Sequence, residues 1–325
     1  MMHRYNQSYH TNSNVSVEKL TVVVPTFNEE AVLEVFHRRL KKILLNLNLK
    51  LEVIYVDDGS TDQSSKIISQ LRYLDPWVGY LRLSRNFGKE TAVTAGLQHA
   101  TGDAVIIIDA DLQDPPEMIP EMIESWKQGA DLVNMRRISR FGDGLIKRST
   151  ARLFYKIINQ LSEVPIPADV GDFRLLSRRA VNALNIMPER NRFMKGLFSW
   201  IGFRVVTIDY HRTSRAAGKS KWPFWHLWKL AIEGVTGFST SPLKISLYLG
   251  FMTSLSAFLA LTYFVIKTWL IGEPIPGFPT IIVTILLLGG IQLFSIGVLG
   301  EYVARIFFES KERPLYLVDV YQPAN

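Results

Sequence analysis

The chain has 325 residues and no cysteine, which excludes disulfides, thiolate metal sites and cysteine nucleophiles. Lys and Arg (37) outnumber Asp and Glu (30), for a net charge of +7 at pH 7. No nucleic-acid-binding motif, dinucleotide fingerprint or P-loop accompanies this excess, so it indicates attraction to phosphate groups and a membrane surface rather than to nucleic acid.

The first 18 residues are polar, rich in Asn and Ser, and lack the apolar stretch of a signal peptide. We expect residues 1–18 to form a disordered tail. Residues 19–221, which follow, are enough to bury the core of a single domain.

Four short apolar segments come next, and each is followed by a polar loop and a helical pattern. They are Leu20–Val24, Leu51–Val56, Val78–Leu83 and a run that ends in Ile106–Ile108. Strands that alternate with helices in this way predict an α/β fold with a doubly wound, mostly parallel sheet. Ligands of such sheets bind beyond the carboxyl ends of the strands, so we expect the polar loops to form the functional site.

Two aspartates, Asp109 and Asp111, follow the fourth apolar run, and Pro115 and Pro116 then turn the chain. Residues i and i+2 of an extended segment point the same way, so both carboxylates can bind one ion. Carboxylate oxygens are the ligands that Mg²⁺ and Mn²⁺ prefer. A solvated acidic loop is the competing interpretation of the D-x-D pattern alone, but its place at the strand edge favours a metal site.

A second acidic loop, Asp57-Asp58-Gly59-Ser60, follows the second strand. One interpretation is a turn in which a hydroxyl group caps the next helix, and the other is a loop in which Asp58 faces a ligand. Both can hold at once, and we expect Asp58 to be the ligand-facing carboxylate.

Basic residues are concentrated in three later places. Arg137 ends the next strand, Lys147 and Arg148 open a helix, and a Gly-containing segment runs from Arg215 to Lys221. Any one of them can belong to a solvated face, but the segment as a whole favours binding of phosphate groups. We expect it to fold over a bound substrate as a lid.

A membrane anchor is predicted from Trp222 onward. Three tryptophans at the start of the juxtamembrane segment 222–241 are typical of a membrane interface. Two uncharged apolar runs follow within residues 242–305, and each can cross a hydrocarbon core of about 30 Å, so we expect transmembrane helices at about 245–269 and 278–301. Lys and Arg flank this hairpin but are missing from its turn, which predicts that both termini and a 306–325 tail are cytoplasmic.

Five stretches carry a family resemblance, and they occur in the order VVVPTFNEE, VDDGSTD, RNFGKE, DADLQDPPE and GDFRLLSRR. Together they resemble family 2 glycosyltransferases of the GT-A fold. More narrowly, the chain is similar to polyprenyl-phosphate glycosyltransferases, the group of bactoprenol glucosyltransferases and dolichol-phosphate mannose synthases. The likeness extends from Leu20 to about Leu317, and the stretches MPERNRFMKG and GGIQLFSIGVLGEY favour the bactoprenol glucosyl branch.

The resemblance implies roles for individual residues. Those expected to bind a nucleotide sugar are Pro25, Phe27, Glu29, Asp57, Asp58, Asp109, Ala110, Asp111, Gln113, Arg215 and Lys221. Those expected at the acceptor phosphate are Arg137, Lys147 and Arg148. Asp109 and Asp111 are expected to bind Mg²⁺ or Mn²⁺, and Asp111 and Asp172 to take part in catalysis.

The implied reaction is an inverting transfer of a hexosyl unit, with glucose from UDP-glucose as the expected sugar, to undecaprenyl phosphate at the bacterial inner membrane. The product would serve O-antigen or other cell-envelope glycan modification. A phosphate acceptor is largely dianionic at pH 7, so Asp172 is expected to orient it more than to remove a proton. A cap of the local turn is the other interpretation of Asp172.

Two alternatives stay open for the function. One is the same chemistry with another sugar, such as mannose or a modified aminosugar. The other is a catalytically silent membrane scaffold. Glycines in the second apolar run also allow close approach of helices, and therefore a homo-oligomer through the membrane and juxtamembrane segments.

Overall fold

The computed structural model describes residues 18–138, 167, 170–190, 192–211, 239–271 and 277–325. These residues form two compact units. The first unit contains the described residues up to 211 together with 314–325, and the second contains those from 239 to 313.

The first unit is built on an eight-stranded sheet with the strand order β7-β5-β6-β4-β1-β2-β3-β8. The strands are β1 Lys19–Thr26, β2 Lys50–Asp57, β3 Val78–Leu83, β4 Ala104–Ile107, β5 Leu132–Arg137, β6 Val170–Ser177, β7 Val205–Tyr210 and β8 Val318–Gln322. The four predicted strands, β1 to β4, pair in parallel, as do β5 and β7, whereas β6 and β8 are antiparallel to their neighbours. The predicted mostly parallel α/β sheet is confirmed.

Helices connect the strands of this unit. They are α1 Leu33–Leu44, α2 Ser64–Leu74, α3 Lys89–His99, α4 Ile119–Lys127, α5 Arg178–Asn185 and α6 Met194–Trp200. The central strands are buried on both faces, as near-continuous Val, Ile and Leu runs of a parallel sheet require. Phe36 of α1, Tyr55 of β2 and Phe173 of β6 are among the largest fully buried side chains of the core.

The last strand, β8, was not predicted. It pairs antiparallel with β3, with Leu81 opposite Tyr321, and it forms one edge of the sheet. The segment expected to be a 306–325 tail therefore belongs to two elements. Residues up to Ser310 continue the second apolar helix, and those from Pro314 onward belong to the sheet unit.

The second unit contains two long helices, α7 Ser241–Ile271 and α8 Phe278–Ser310. Both are long and apolar enough to cross a membrane, and their apolar side chains are largely exposed. The helices contact each other, and the hydroxyl of Tyr302 in α8 donates to the carbonyl of Ser239 before α7 at 2.6 Å. The predicted helical hairpin is confirmed, with helices longer than expected. The segments 1–17, 222–238 and 272–276 lie outside the described residues.

Candidate active site

The loops after β1 and β2 interlock at the carboxyl edge of the sheet. The Asn28 amide donates to Oγ of Ser60 at 3.0 Å, and the Thr61 amide donates to Oδ1 of Asn28 at 2.8 Å. The Glu30 amide donates in turn to Oδ2 of Asp62 at 3.2 Å. Asn28 adopts the left-handed region, with φ of 53°, which Asn tolerates better than most residues. This reciprocal bonding fixes the two loops against each other.

Asp57 has a structural role in the same region. Its side chain is fully buried, and its oxygens accept from the Ser60 amide at 2.8 Å, Oγ of Ser65 at 2.5 Å and the Tyr80 hydroxyl at 3.2 Å. These contacts hold the β2 loop onto α2 and β3. That Asp57 also contributes to binding of the donor stays a prediction.

Asp58 ties the β2 loop to the β3 loop. Its two carboxylate oxygens accept from the backbone amides of Phe87 at 2.7 Å and Gly88 at 2.9 Å. Burial raises the pKa of the Asp58 carboxyl, although the two amide hydrogen bonds act in the opposite direction. Gly59 is required next to it, because a Cβ there would lie 2.5 Å from the Arg85 carbonyl carbon. That Asp58 also faces the ligand stays a prediction.

The pairing of β4 with β6 brings two of the predicted carboxylates together. Ile107 lies opposite Arg174 in the antiparallel register, so its continuation by two residues places Asp109 opposite Asp172. Both side chains are partly exposed, by 22% and 25%, and a substrate can therefore reach them. The sheet register, rather than the D-x-D motif alone, brings these two carboxylates into one site.

Lys89, the first residue of α3, bridges the two carboxylates. Its Nζ donates to Oδ2 of Asp109 at 2.6 Å and to Oδ2 of Asp172 at 2.5 Å. Burial opposes the charge of Lys89, but the two carboxylates outweigh it and raise the pKa of the ammonium. The sequence analysis assigned no role to Lys89. Its position in RNFGKE, directly after a strand at the site edge, was the signal available.

Three positive charges act on the Asp172 carboxylate. Burial would raise the pKa of Asp172, but the charges of Lys89, Lys195 and Arg174 lower it well below its usual range. Arg174 is buried, its pKa lowered to about 10 by that burial, and it donates to the Gly171 carbonyl at 2.6 Å. Asp172 is therefore ionised at neutral pH and a weak base.

Glu90 is a further carboxylate next to this group that the sequence analysis missed. Its Oε2 accepts from the Met194 amide at 3.2 Å, which links α3 to α6. Burial, and then the negative charge of Asp172, raise the pKa of Glu90 to about 7. Glu90 thus changes charge near physiological pH, unlike Asp172.

Asp111 lies on a strained turn. Its Oδ1 accepts from the Gln113 amide at 3.1 Å, and Leu112 between them has a φ of 61°. A non-glycine residue in the left-handed region costs about 1 kcal/mol or more, and such strain is concentrated at functional sites. The turn keeps Asp111 beside the end of β4.

A divalent cation at Asp109 and Asp111 would take its remaining ligands from water and from substrate phosphates. Within the described part of the chain no group of three or more His, Cys, Asp or Glu side chains is arranged to hold a metal ion. Mg²⁺ is commonly held by one or two carboxylates together with substrate phosphates and water. The oxygen atoms of these two carboxylates are hard ligands and match that mode of binding.

Arg137 lies close to Gly171 and Asp172, and its role at the acceptor phosphate stays a prediction. Its Nε donates to the Tyr210 hydroxyl at 3.2 Å, and that hydroxyl donates to the buried Asp114. A Cβ on Gly171 would lie 2.5 Å from Nη2 of Arg137, so the absence of a side chain there makes room for the guanidinium. The charges of Tyr210, Asp114 and Asp172 outweigh burial and raise the pKa of Arg137.

A family model described as glycosyl transferase family 2 matches residues 21–184, which is about half of the chain and includes Lys89, Asp109, Asp111 and Asp172. The chain belongs to glycosyl transferase family 2. A second model, described as the GtrB C-terminal hairpin, matches residues 241–306 of this glycosyltransferase. The hairpin formed by α7 and α8 is therefore shared with other members of the family, and the protein is membrane-associated.

Several relatives of this glycosyltransferase match nearly its whole length. A bactoprenol glucosyl transferase of Shigella phage SfX is 48% identical over 92% of this chain and 98% of its own. A prophage bactoprenol glucosyl transferase homolog of Escherichia coli K12 is 46% identical over 92% of this chain and 98% of its own. An uncharacterized glycosyltransferase of Bacillus subtilis, YkcC, is 41% identical over 92% of both chains.

The remaining predicted site residues of the glycosyltransferase differ in accessibility. Pro25 and Ala110 are buried, whereas Phe27, Glu29 and Gln113 are partly exposed at the carboxyl edge. The donor-binding roles of all five residues stay predictions. Four basic residues, Lys147, Arg148, Arg215 and Lys221, lie outside the described residues, as does the expected lid.

Proposed function

We propose that this glycosyltransferase moves glucose from UDP-glucose to undecaprenyl phosphate. The observation that carries the proposal is its similarity, over nearly the full length of both chains, to proteins named bactoprenol glucosyl transferase. The arrangement of Asp109, Asp111 and Asp172 at the carboxyl edge of the sheet supports catalysis by the same chain. The product, a lipid-linked glucose, would serve O-antigen or other cell-envelope glycan modification.

The donor is assigned to the loops after β1, β2 and β4. We infer that Asp109 and Asp111 hold Mg²⁺ or Mn²⁺ together with the two phosphates of UDP-glucose. The bound ion would supply positive charge to the leaving diphosphate. The interlocked loops around Asn28 and Ser60, with Asp58 bonded to the β3 loop, would form a rigid wall for the nucleotide.

The acceptor is assigned to the side formed by β6 and the end of β5. An oxygen of the lipid phosphate attacks the anomeric carbon of glucose, the bond from that carbon to UDP breaks, and the configuration inverts. The phosphate is largely dianionic at pH 7, so it needs no strong base, and the lowered pKa of Asp172 makes that carboxylate a poor one. Asp172 therefore orients the reactants, and Arg137 contributes a donor for phosphate oxygens.

The hairpin would place the reaction at the bacterial inner membrane. Lys244 precedes the first apolar stretch and Arg305, Lys311 and Arg313 lie at the end of the second. By the positive-inside rule both ends of the hairpin face the cytoplasm, where nucleotide sugars are made available to the sheet unit. The protein would then span the membrane twice, and a homo-oligomer through these helices is compatible with the glycines of α8.

A lipid-transfer assay tests this proposal. Membranes that contain the chain are incubated with undecaprenyl phosphate and, separately, with labelled UDP-glucose, GDP-mannose and UDP-N-acetylglucosamine, and the organic phase is counted. Label from UDP-glucose alone is expected. The Asp111→Asn variant should transfer label to the lipid about 100-fold more slowly or worse, because the cation loses one of its two charged ligands. Label from another donor would identify a different sugar. UDP binding without labelled lipid from any donor would favour the scaffold.

A further inference from the structure

Lys89 holds together two carboxylates that the proposed function assigns to different substrates. Its Nζ contacts Asp109 at 2.6 Å and Asp172 at 2.5 Å. Asp109 belongs to the cation and donor side of the site, whereas Asp172 belongs to the acceptor side. One ammonium group therefore lies at the boundary between the two sides.

The helix dipole makes the position of Lys89 unfavourable for a positive charge. Lys89 is the first residue of α3, where the partial positive charge of the helix N-terminus opposes a cation. The preceding Gly88 has no side chain with which to cap the first amides of the helix. A lysine at this place costs helix stability, so the benefit of its charge must come from the site.

The ammonium can act in opposite ways on the acceptor phosphate and on the divalent cation. It has three N–H donors, of which Asp109 and Asp172 accept two, so a third can be donated to an oxygen of a phosphate group. A phosphate dianion next to two carboxylates is repelled unless a positive charge lies between them. A divalent cation on Asp109 is, by contrast, repelled by the same ammonium.

We propose that Lys89 weakens binding of the divalent cation to Asp109 and strengthens binding of the acceptor phosphate beside Asp172. The identity of the acceptor rests on the proposed function. Loss of the positive charge then changes the two affinities in opposite directions. A residue that only supported the local fold would, when replaced, weaken both.

The test uses Lys89→Met in the full chain, with Mn²⁺ alone as the probe and the free ion followed by electron paramagnetic resonance. The Kd for Mn²⁺ should fall by about threefold to tenfold, because a nearby positive charge is removed. With UDP-glucose saturating, the KM for a short-chain polyprenyl phosphate should rise by about tenfold. Lys89→Arg keeps the charge and should stay close to the natural chain in both measurements.

Lys41→Met is the matched control. Lys41 also donates to a carboxylate, Oδ1 of Asp75 at 2.6 Å, but Asp75 precedes β3 at the amino-terminal edge of the sheet. Replacing Lys41 should change neither the affinity for Mn²⁺ nor the KM for the acceptor.

Weaker or unchanged Mn²⁺ binding in Lys89→Met, or an unchanged acceptor KM, would overturn the proposal. Lys89→Gln, with a polar side chain of similar length, repeats both measurements should the Met variant fold poorly. Failure of the proposed function has a different signature, since the natural chain would then transfer glucose to no polyprenyl phosphate. The Mn²⁺ titration would still decide whether Lys89 competes with the cation.

Discussion

At the scale of single residues, Asp172 and Glu90 illustrate how neighbouring charges separate two carboxylates. The positive charges of Lys89, Lys195 and Arg174 keep Asp172 ionised despite burial. The positive charges near Glu90 do not outweigh burial and the negative charge of Asp172, which together raise its pKa to about 7. One carboxylate is thereby a permanent charge at neutral pH, while the other titrates there.

Asp172→Asn should slow glucosyl transfer much more than it weakens UDP binding. The amide keeps the shape of the side chain but removes the charge that orients the acceptor side, so we expect at least a 100-fold lower kcat, on the order seen for loss of one transition-state contact. Calorimetry with UDP and the lipid-transfer assay separate the two effects. Asp319→Asn, an exposed carboxylate of β8, is the control that should leave both unchanged. A variant that lost UDP affinity yet transferred normally at saturating donor would assign Asp172 to the donor side.

Glu90→Gln should flatten the dependence of stability on pH. The pKa of Glu90 is raised from 4.5 to about 7, so the folded chain binds this proton more tightly than the unfolded chain does. The free energy of unfolding therefore falls as pH rises from about 4.5 to about 7, and Gln should remove at least about 1 kcal/mol of that fall. Thermal unfolding of both chains across this range measures the difference.

Glu117→Gln is the control for this experiment. The hydrogen bond from Arg39 lowers the pKa of Glu117, so its contribution is lost only as pH falls below its usual titration range. Glu117→Gln should therefore leave the dependence of the free energy of unfolding on pH unchanged between pH 4.5 and about 7. An equal slope in the natural chain and in Glu90→Gln would contradict the raised pKa.

At the scale of elements, α3 depends on its close contact with β1. A Cβ on Gly96 would lie 2.2 Å from Cγ1 of Val23, so this glycine sets how closely the helix packs on the sheet. The same helix carries Lys89 at its first position. Packing in the core of the unit therefore determines where the bridging ammonium lies.

Gly96→Ala should destabilise the protein by about 1–3 kcal/mol through overpacking. In an uncrowded helix the same change would stabilise by about 1 kcal/mol, so the sign of the effect is diagnostic. The double variant Val23→Ala/Gly96→Ala removes the opposing methyl groups and should be less destabilised than the two single effects added together. Strict additivity in denaturant unfolding would show that the contact between Gly96 and Val23 is not the cause.

At the scale of the whole molecule, the membrane hairpin is inserted in chain order between β7 and β8. The residues after the hairpin return to the sheet unit, where the Ser84 amide donates to the Leu317 carbonyl at 2.9 Å. The ring of Tyr321 packs edge-on against His99, with centroids 4.6 Å apart. The C-terminal residues therefore complete the catalytic unit and cover the edge of β3.

A chain that ends at Arg313 should be several kcal/mol less stable and prone to aggregate, because it loses a strand and exposes the β3 edge. A chain that ends at Pro323 keeps β8 and loses only the terminal contacts, among them the hydrogen bond from the Asn325 amide to the Pro76 carbonyl. It should lose about 1 kcal/mol. Thermal unfolding and size-exclusion chromatography in detergent compare the two. Equal stability would mean that β8 is dispensable.

Local pattern was sufficient to predict the βα alternation, the apolar hairpin and the polar loops at the carboxyl edge, because hydrophobic period and strand–loop–helix order depend on neighbouring residues. Tertiary structure alone decided the partners of each carboxylate. It enclosed Asp57, turned Asp58 toward the β3 loop and put Lys89 between Asp109 and Asp172, which lie 20 and 83 residues away in sequence. It also made the C-terminal segment an edge strand. Such contacts follow from sheet register and long-range packing, and a local sequence pattern does not predict them.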